Sequence, residues 1–258
     1  MFTATSLRRL YFAVHSYAGP ALFREVLAPW LDEHSVALRE RLALLRVYGE
    51  WRRVEYVWGD LLEQAYALHL PDHVAGVTED EYVRVFSALG MRRARVARFD
   101  PFFHEIVAVE QSDEPDAPIE IIDEWWPCMM LGQLLFGRAG VRVRAGAHHA
   151  VAGIADRSMP GEVFIRRHRP TTDGSLGWGS SSQWKTDFRR DYLTPDSNHF
   201  NVDEQTGIDE DSEFGDGRLT LLERRDLLRH RCKVRPLVHV PESGDSWAGC
   251  WRLSLPRS

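Results

Sequence analysis

The sequence is short of the features that assign a chain to a class at sight. Cysteine is scarce: Cys128, Cys232 and Cys250 stand alone in 258 residues, and no two are close enough for a CxxC metal knuckle or redox pair. That excludes a disulfide scaffold and suits a reducing compartment. Long apolar runs are missing too, with no window of about 18 uninterrupted apolar residues to span a bilayer. The N-terminal run MFTATSLRRLYFAVHSYAGPALF is interrupted at His15, Ser16, Gly19 and Pro20, which fits neither a signal peptide nor a span. The expectation is a soluble, cytoplasmic protein with no membrane partner. Cations are not in excess: 32 Lys and Arg against 38 Asp and Glu give a net charge of −6, which argues against a general binder of polyanions. No P-loop GxxxxGK[ST], no GxSxG elbow, no HExxH pair and no internal repeat occurs.

What is present is an α+β pattern. Residues 1–92 read as a helical region and 93–258 as a β-rich, mainly antiparallel region, on or beside which the helices pack; the two can share one core. Val47, Trp51, Val54, Trp58, Leu61, Ala65 and Leu68 recur at three- and four-residue spacings, the stripe of an amphipathic helix that Pro71 ends. Leu38, Leu42 and Leu45 continue that pattern upstream, with Ser35 as a cap and Gly49 as a break. Thr78-Glu79-Asp80-Glu81 has capping-box spacing, and Gly90 is placed to close a helix over 79–89.

From residue 93 the texture becomes β-branched and alternating. Strands are expected at Arg95–Phe99, Glu105–Glu110, Ile119–Ile122, Val141–Arg144, Val163–Arg167 and Trp247–Leu255, with an extended Val234–Val240. Turns fall at Asp100-Pro101, at Asp113 to Asp116, at Gly137 to Gly140 and at Met159-Pro160-Gly161. Residues 218–231 partly fit a helical period through Leu219, Leu222, Leu227 and Leu228, with arginines gathered on one face. Residues 201–217 hold seven acidic groups and no base. Asp209, Asp211 and Glu213 have the spacing of a calcium loop's first ligands, but Gly215 and Thr220 fall in the wrong places, so a solvated loop is expected.

Three clusters could carry chemistry. His104 and Glu110, on one strand, would share a face if the strand alternates regularly. His148 and His149 lie among small residues ahead of Asp156, and with His104 they would make a nitrogen and oxygen set for a divalent metal. The polar stretch 164–192 holds six cations and two tryptophans. There Arg166, Arg167, Arg169 and Arg189 with the hydroxyls of Ser180, Ser181 and Ser182 offer what a phosphate or carboxylate would seek, and Trp178 and Trp184 would pin the loop or wall a pocket.

The leading expectation is therefore an enzyme-like protein binding a small anionic or polar ligand at an Arg/His-rich site. His104, His168 and Asp156 would transfer protons there, or the histidines and Asp156 would hold the metal. The alternative is a protein-interaction protein of inhibitor or immunity type, whose tryptophans, arginines and net acidity suit a basic protein partner. A nucleic-acid module comes third, because the arginines of 218–235 lack interleaved aromatics for stacking bases.

Overall fold

The computed structural model describes residues 9–49 except 11 and 15, then 77–156, 190–211, 217–239 and 251–257. The chain is α+β, with a helical N-terminal part and mostly antiparallel sheet pairing in the rest. Among the described residues no helix is long and apolar enough to cross a membrane. The chain divides into two compact units, Met1–Arg95 with Trp126–Gly137, and Val96–Trp125 with Arg138–Ser258.

In the first unit a π-helical turn, Phe23–Leu27, runs into helix α1, Ala28–Leu42. Pro29 has no N–H to give and its ring crowds the preceding turn, and the widened turn lies immediately before it. Leu31, Leu38 and Leu42 form the buried stripe. Ser35, expected as a cap, is inside α1, because the helix starts several residues earlier at the proline. Helix α2, Glu79–Ala88, begins as its sequence predicts: the Thr78 hydroxyl accepts the Glu81 N–H at 3.2 Å and the Glu81 carboxylate accepts the Thr78 N–H at 2.9 Å. Gly90, at φ +93°, closes it. The tryptophan stripe from Trp51 to Leu68 lies outside the described residues.

Helix α2 buries Tyr82, Val85 and Phe86, and Phe86 meets Phe136 at 5.0 Å between ring centres. Phe136 belongs to a three-stranded run in which β4 (Cys128–Leu131) pairs antiparallel with both β1 (Arg92–Ala94) and β5 (Leu134–Gly137). The strand expected at Arg95–Phe99 is thus displaced to Arg92–Ala94. Strands β4 and β5 went unread because every residue in them is buried, so no alternation marks them. Gly132 makes their turn at φ +62°, and a Cβ there would lie 2.6 Å from the Arg46 carbonyl oxygen.

The second unit holds a sheet of order β2-β6-β3, from β2 (His104–Gln111), β3 (Glu120–Trp126) and β6 (Ala139–Ala145). Strands β2 and β6 are parallel. Gly146, just past the end of β6, donates to the Ala117 carbonyl, just before the start of β3, so those two run antiparallel. A second run pairs β7 (Tyr192–Leu193) with β8 (Ser197–Phe200), β8 with β10 (Trp251–Pro256), and β10 in parallel with β9 (Thr206–Gly207). Strand β10 overlaps the end of the strand expected over 247–255 and runs one residue past it, while 247–250 lie outside the described residues. The expected Val163–Arg167 strand lies outside the described residues, and 234–239 forms no strand.

Helix α3, Leu221–His230, carries a second capping box. The Thr220 hydroxyl accepts the Glu223 N–H, and one oxygen of Glu223 accepts from the Thr220 N–H at 2.8 Å and its hydroxyl at 2.7 Å. The other oxygen accepts the Val238 N–H at 2.6 Å, which ties the segment after the helix back to its start. Burial works against the charged carboxyl, yet the N–H groups of Thr220 and Val238 and the hydroxyl outweigh it and hold the pKa below the ordinary glutamate value. A depressed carboxyl stabilises the fold at neutral pH, and that share is lost as pH falls through the acid range. Glu223→Gln keeps one accepting oxygen for three donors, so urea unfolding should show a loss of about 1–2 kcal/mol. Glu81→Gln, in the more exposed box of α2, should lose clearly less; equal losses would remove the special role of the Val238 tie.

Candidate functional site

The most heavily charged part of the second unit's interior is built around Asp191, which is 0% exposed. Its Oδ2 is 3.0 Å from Nε and 2.9 Å from Nη2 of Arg231, and 3.4 Å from Nη2 of the buried Arg138. Its Oδ1 accepts the backbone N–H of Asn201 at 2.8 Å. Asn201 is buried in the left-handed region at φ +54°, and its side-chain amide donates to the Trp251 carbonyl at 2.8 Å. Beside it the buried Arg190 grips Asp203 with Nε at 2.8 Å and with a second, shorter contact. Burial pushes the Tyr192 hydroxyl up to about 12, although the Arg190 cation pulls the other way. Arginine is suited to such places because its planar fork satisfies a carboxylate's lone pairs together.

Beneath this network lies an aromatic stack. Phe99 lies on His104 at 5.7 Å and 24° and on His230 at 6.0 Å and 17°. His104 Nδ1 is 3.0 Å from the Asp100 backbone, and burial lowers its pKa against the opposing pull of the Asp100 and Val96 backbone bonds. His230 is held near 3 by burial, reinforced by the cations of Arg138, Arg229 and Arg235. Both rings are neutral at pH 7.

The residues expected to form a metal or proton-transfer site are not brought together. Strand β2 slips register between Ile106 and Ala108: Ile106 pairs with the buried Val141, whereas Ala108 pairs with Arg142 and Glu110 with Arg144. This irregularity turns the strand by one residue, so His104 faces the core and Glu110 the opposite face, where Arg144 Nε takes its carboxylate at 2.9 Å. His104 pairs with Ala139 at one end of the β2–β6 ladder. His148, His149 and Asp156 lie off the other end, where Gln111 binds the Ala145 and Ala150 carbonyls and the Ala152 N–H. The six steps from Ala139 to Ala145 put roughly 20 Å between the two ends. His148 is exposed and bonds Asp116 at 2.8 Å, which lowers the Asp116 pKa, and Asp156 accepts the Gly153 N–H to close a turn. Among the described residues no three His, Cys, Asp or Glu side chains could hold a metal ion. Arg166, Arg167, His168, Arg169, Trp178, Ser180, Ser181, Ser182, Trp184 and Arg189 lie outside the described residues, as does Glu213 of the acidic loop.

One surface was not anticipated. Among the described residues strand β3 is an edge of the β2-β6-β3 sheet. Asp123 reaches Arg142 at 3.0 Å, so it lies on the arginine face of the sheet. Alternation puts Ile121 and Trp125 beside it and turns Glu120, Ile122 and Glu124 to the other face. Trp125 is 51% exposed and Ile122 37%. Residues 113–124 contain Asp113, Glu114, Asp116, Glu120, Asp123 and Glu124 and no base. The signal in the sequence is an acidic run ending in two tryptophans, whose halves separately match a turn and a strand. Comparison with family models, with curated proteins and with solved structures finds no match.

Two predictions follow from the interior. Asp191→Asn keeps the shape but leaves the buried Arg138 and the partly buried Arg231 short of their anion, and should cost about 3 kcal/mol or more in urea unfolding; a loss under about 1 kcal/mol would show that Asp191 does not hold the unit together. His230 has a folded pKa below its unfolded value of about 6.5, so the unfolded chain takes up the proton first and stability falls as pH drops from 6.5 toward 3. His230→Phe retains the ring stack without the titration, and should shrink the stability difference between pH 7 and pH 5 by about 2 kcal/mol. An unchanged difference would place the acid sensitivity elsewhere.

Proposed function

We propose that the chain is an interaction protein that binds a cationic protein partner through the edge of its β2-β6-β3 sheet. One observation carries this reading: a solvent-facing tryptophan on an edge strand set in a base-free acidic run. An indole spread over a surface is a typical anchor of a protein interface, because it desolvates a large area at little cost in rotamer freedom. The surrounding carboxylates add the sign of the partner, by steering the encounter and repelling the wrong ones. The net charge of −6 acts in the same direction at long range.

The competing small-anion reading draws on 166–189, outside the described residues, and on histidines separated by the length of a ladder. Arg190, at the end of that segment, is already engaged with Asp203. The interaction reading is supported by groups that face solvent.

A photoreactive phenylalanine analogue in place of Trp125, activated in cells that make the chain, tests this. One predominant adduct with a basic protein is expected, and it should be lost when Glu120→Lys is added. An acidic or neutral partner, or an adduct insensitive to the charge reversal, would overturn the proposal, and so would the same adduct formed from the analogue at Leu44.

A further inference from the structure

Resting on that reading, we propose that the partner contributes an extended cationic segment that joins β3 as a fourth strand of the β2-β6-β3 sheet. Among the described residues the sheet has two edges, and they differ. Strand β2 is buried from His104 through Val107, which leaves only its last residues open, whereas Glu120 to Trp125 of β3 are all half-buried or exposed. The inner side of β3 is paired with β6, and among the described residues no strand lies on its outer side. A strand of seven residues in that position presents a row of backbone donors and acceptors to an incoming chain, the arrangement used in strand addition.

The side chains determine which chain fits. Directly opposed residues in a sheet share a face, and opposite charges there stabilise while like charges oppose pairing. A strand lying along β3 meets, in order, an acid at Glu120, apolar groups at Ile121 and Ile122, the acid Asp123, whose carboxylate also serves Arg142 of β6, the acid Glu124, and the indole of Trp125. The complement is therefore basic, apolar, apolar, basic, basic, apolar, in that order for a parallel strand and reversed for an antiparallel one. This is not the simple alternation of a generic amphipathic strand, so it gives the site a pattern as well as a sign. A second copy of this chain is a poor occupant, because β3 against β3 would set acidic residues against acidic residues. Nucleic acid is repelled by the same charge.

The test uses the full chain and two end-blocked peptides carrying the antiparallel complement, Thr-Val-Lys-Lys-Val-Val-Lys-Thr. One has ordinary amides and the other has alternate backbone amides N-methylated, which removes pairing while keeping every charge and side chain. A scrambled peptide of the same composition is the control. The ordinary peptide should bind, slow hydrogen exchange in 119–126 at least tenfold, weaken as salt rises, and exceed both the scrambled and methylated peptides by tenfold or more. Equal binding by the methylated peptide would overturn strand addition while leaving a cationic partner in place. Protection outside 119–126, or no binding by the ordinary peptide at low salt, would also overturn it. The Trp125 cross-link decides separately whether the surface has a partner at all.

Discussion

A carboxylate with no access to water holds the second unit together. Asp191 is stabilised there by Arg138, Arg231 and the Asn201 amide, which replace water it has lost. Those groups come from far apart in the chain, before β6, after β8 and at the end of α3, so satisfying one anion fixes three segments together. Arg231 itself stands at φ +60°, which ends α3 at the point where its side chain can turn toward Asp191. Arg138 immediately precedes Ala139, whose N–H donates to the Phe103 carbonyl at 2.8 Å and so starts the β2–β6 ladder. The constraint thus passes from a buried ion pair to the central strand of the sheet, and through β6 to the placement of β3.

Similar pairing orders many of the charges among the described residues of that unit. Arginines are drawn inward to Asp191 and Asp203, and on the sheet face Arg142 and Arg144 are matched to Asp123 and Glu110. Arg235 serves Asp226 and the His148 carbonyl. Asp113, Glu114 and Glu120, by contrast, are exposed around β3. A modest net charge of −6 therefore becomes a concentrated local one.

How much of this could be read beforehand depended on whether a feature was local. The Thr78–Glu81 box and Gly90 were legible because capping is decided within four residues. The α+β division was legible from periodicity, and the edges of β2, β3 and β6 fell close to their apolar runs. The Thr220–Glu223 box is equally local, but it lies where the leucine period of 218–231 is the stronger pattern. Strands β4 and β5 were hidden by complete burial. The register slip at Val107 had no local mark, and it alone separates His104 from Glu110. The acidic run was plain in the sequence, yet only the order of strands reveals that it lies on an edge, because edge position is a property of the ladder and not of the strand.

An open edge is a hazard to any sheet, and it is usually blunted with charge, proline or a covering segment. Here the blunting uses carboxylates spread along β3, with Pro115 and Pro118 ahead of it. Lysine would protect against self-association equally well, since either sign repels its own copy. On the proposed reading the choice of acid has a second consequence, because it would leave one class of strand that is not repelled. Protection against copies and selection of a partner would then come from the same side chains, by repulsion of everything else as much as by attraction. Trp125 fits this proposal: an exposed indole would invite indiscriminate contact on a neutral surface, but among carboxylates it would be accessible chiefly to a chain that brings cations with it.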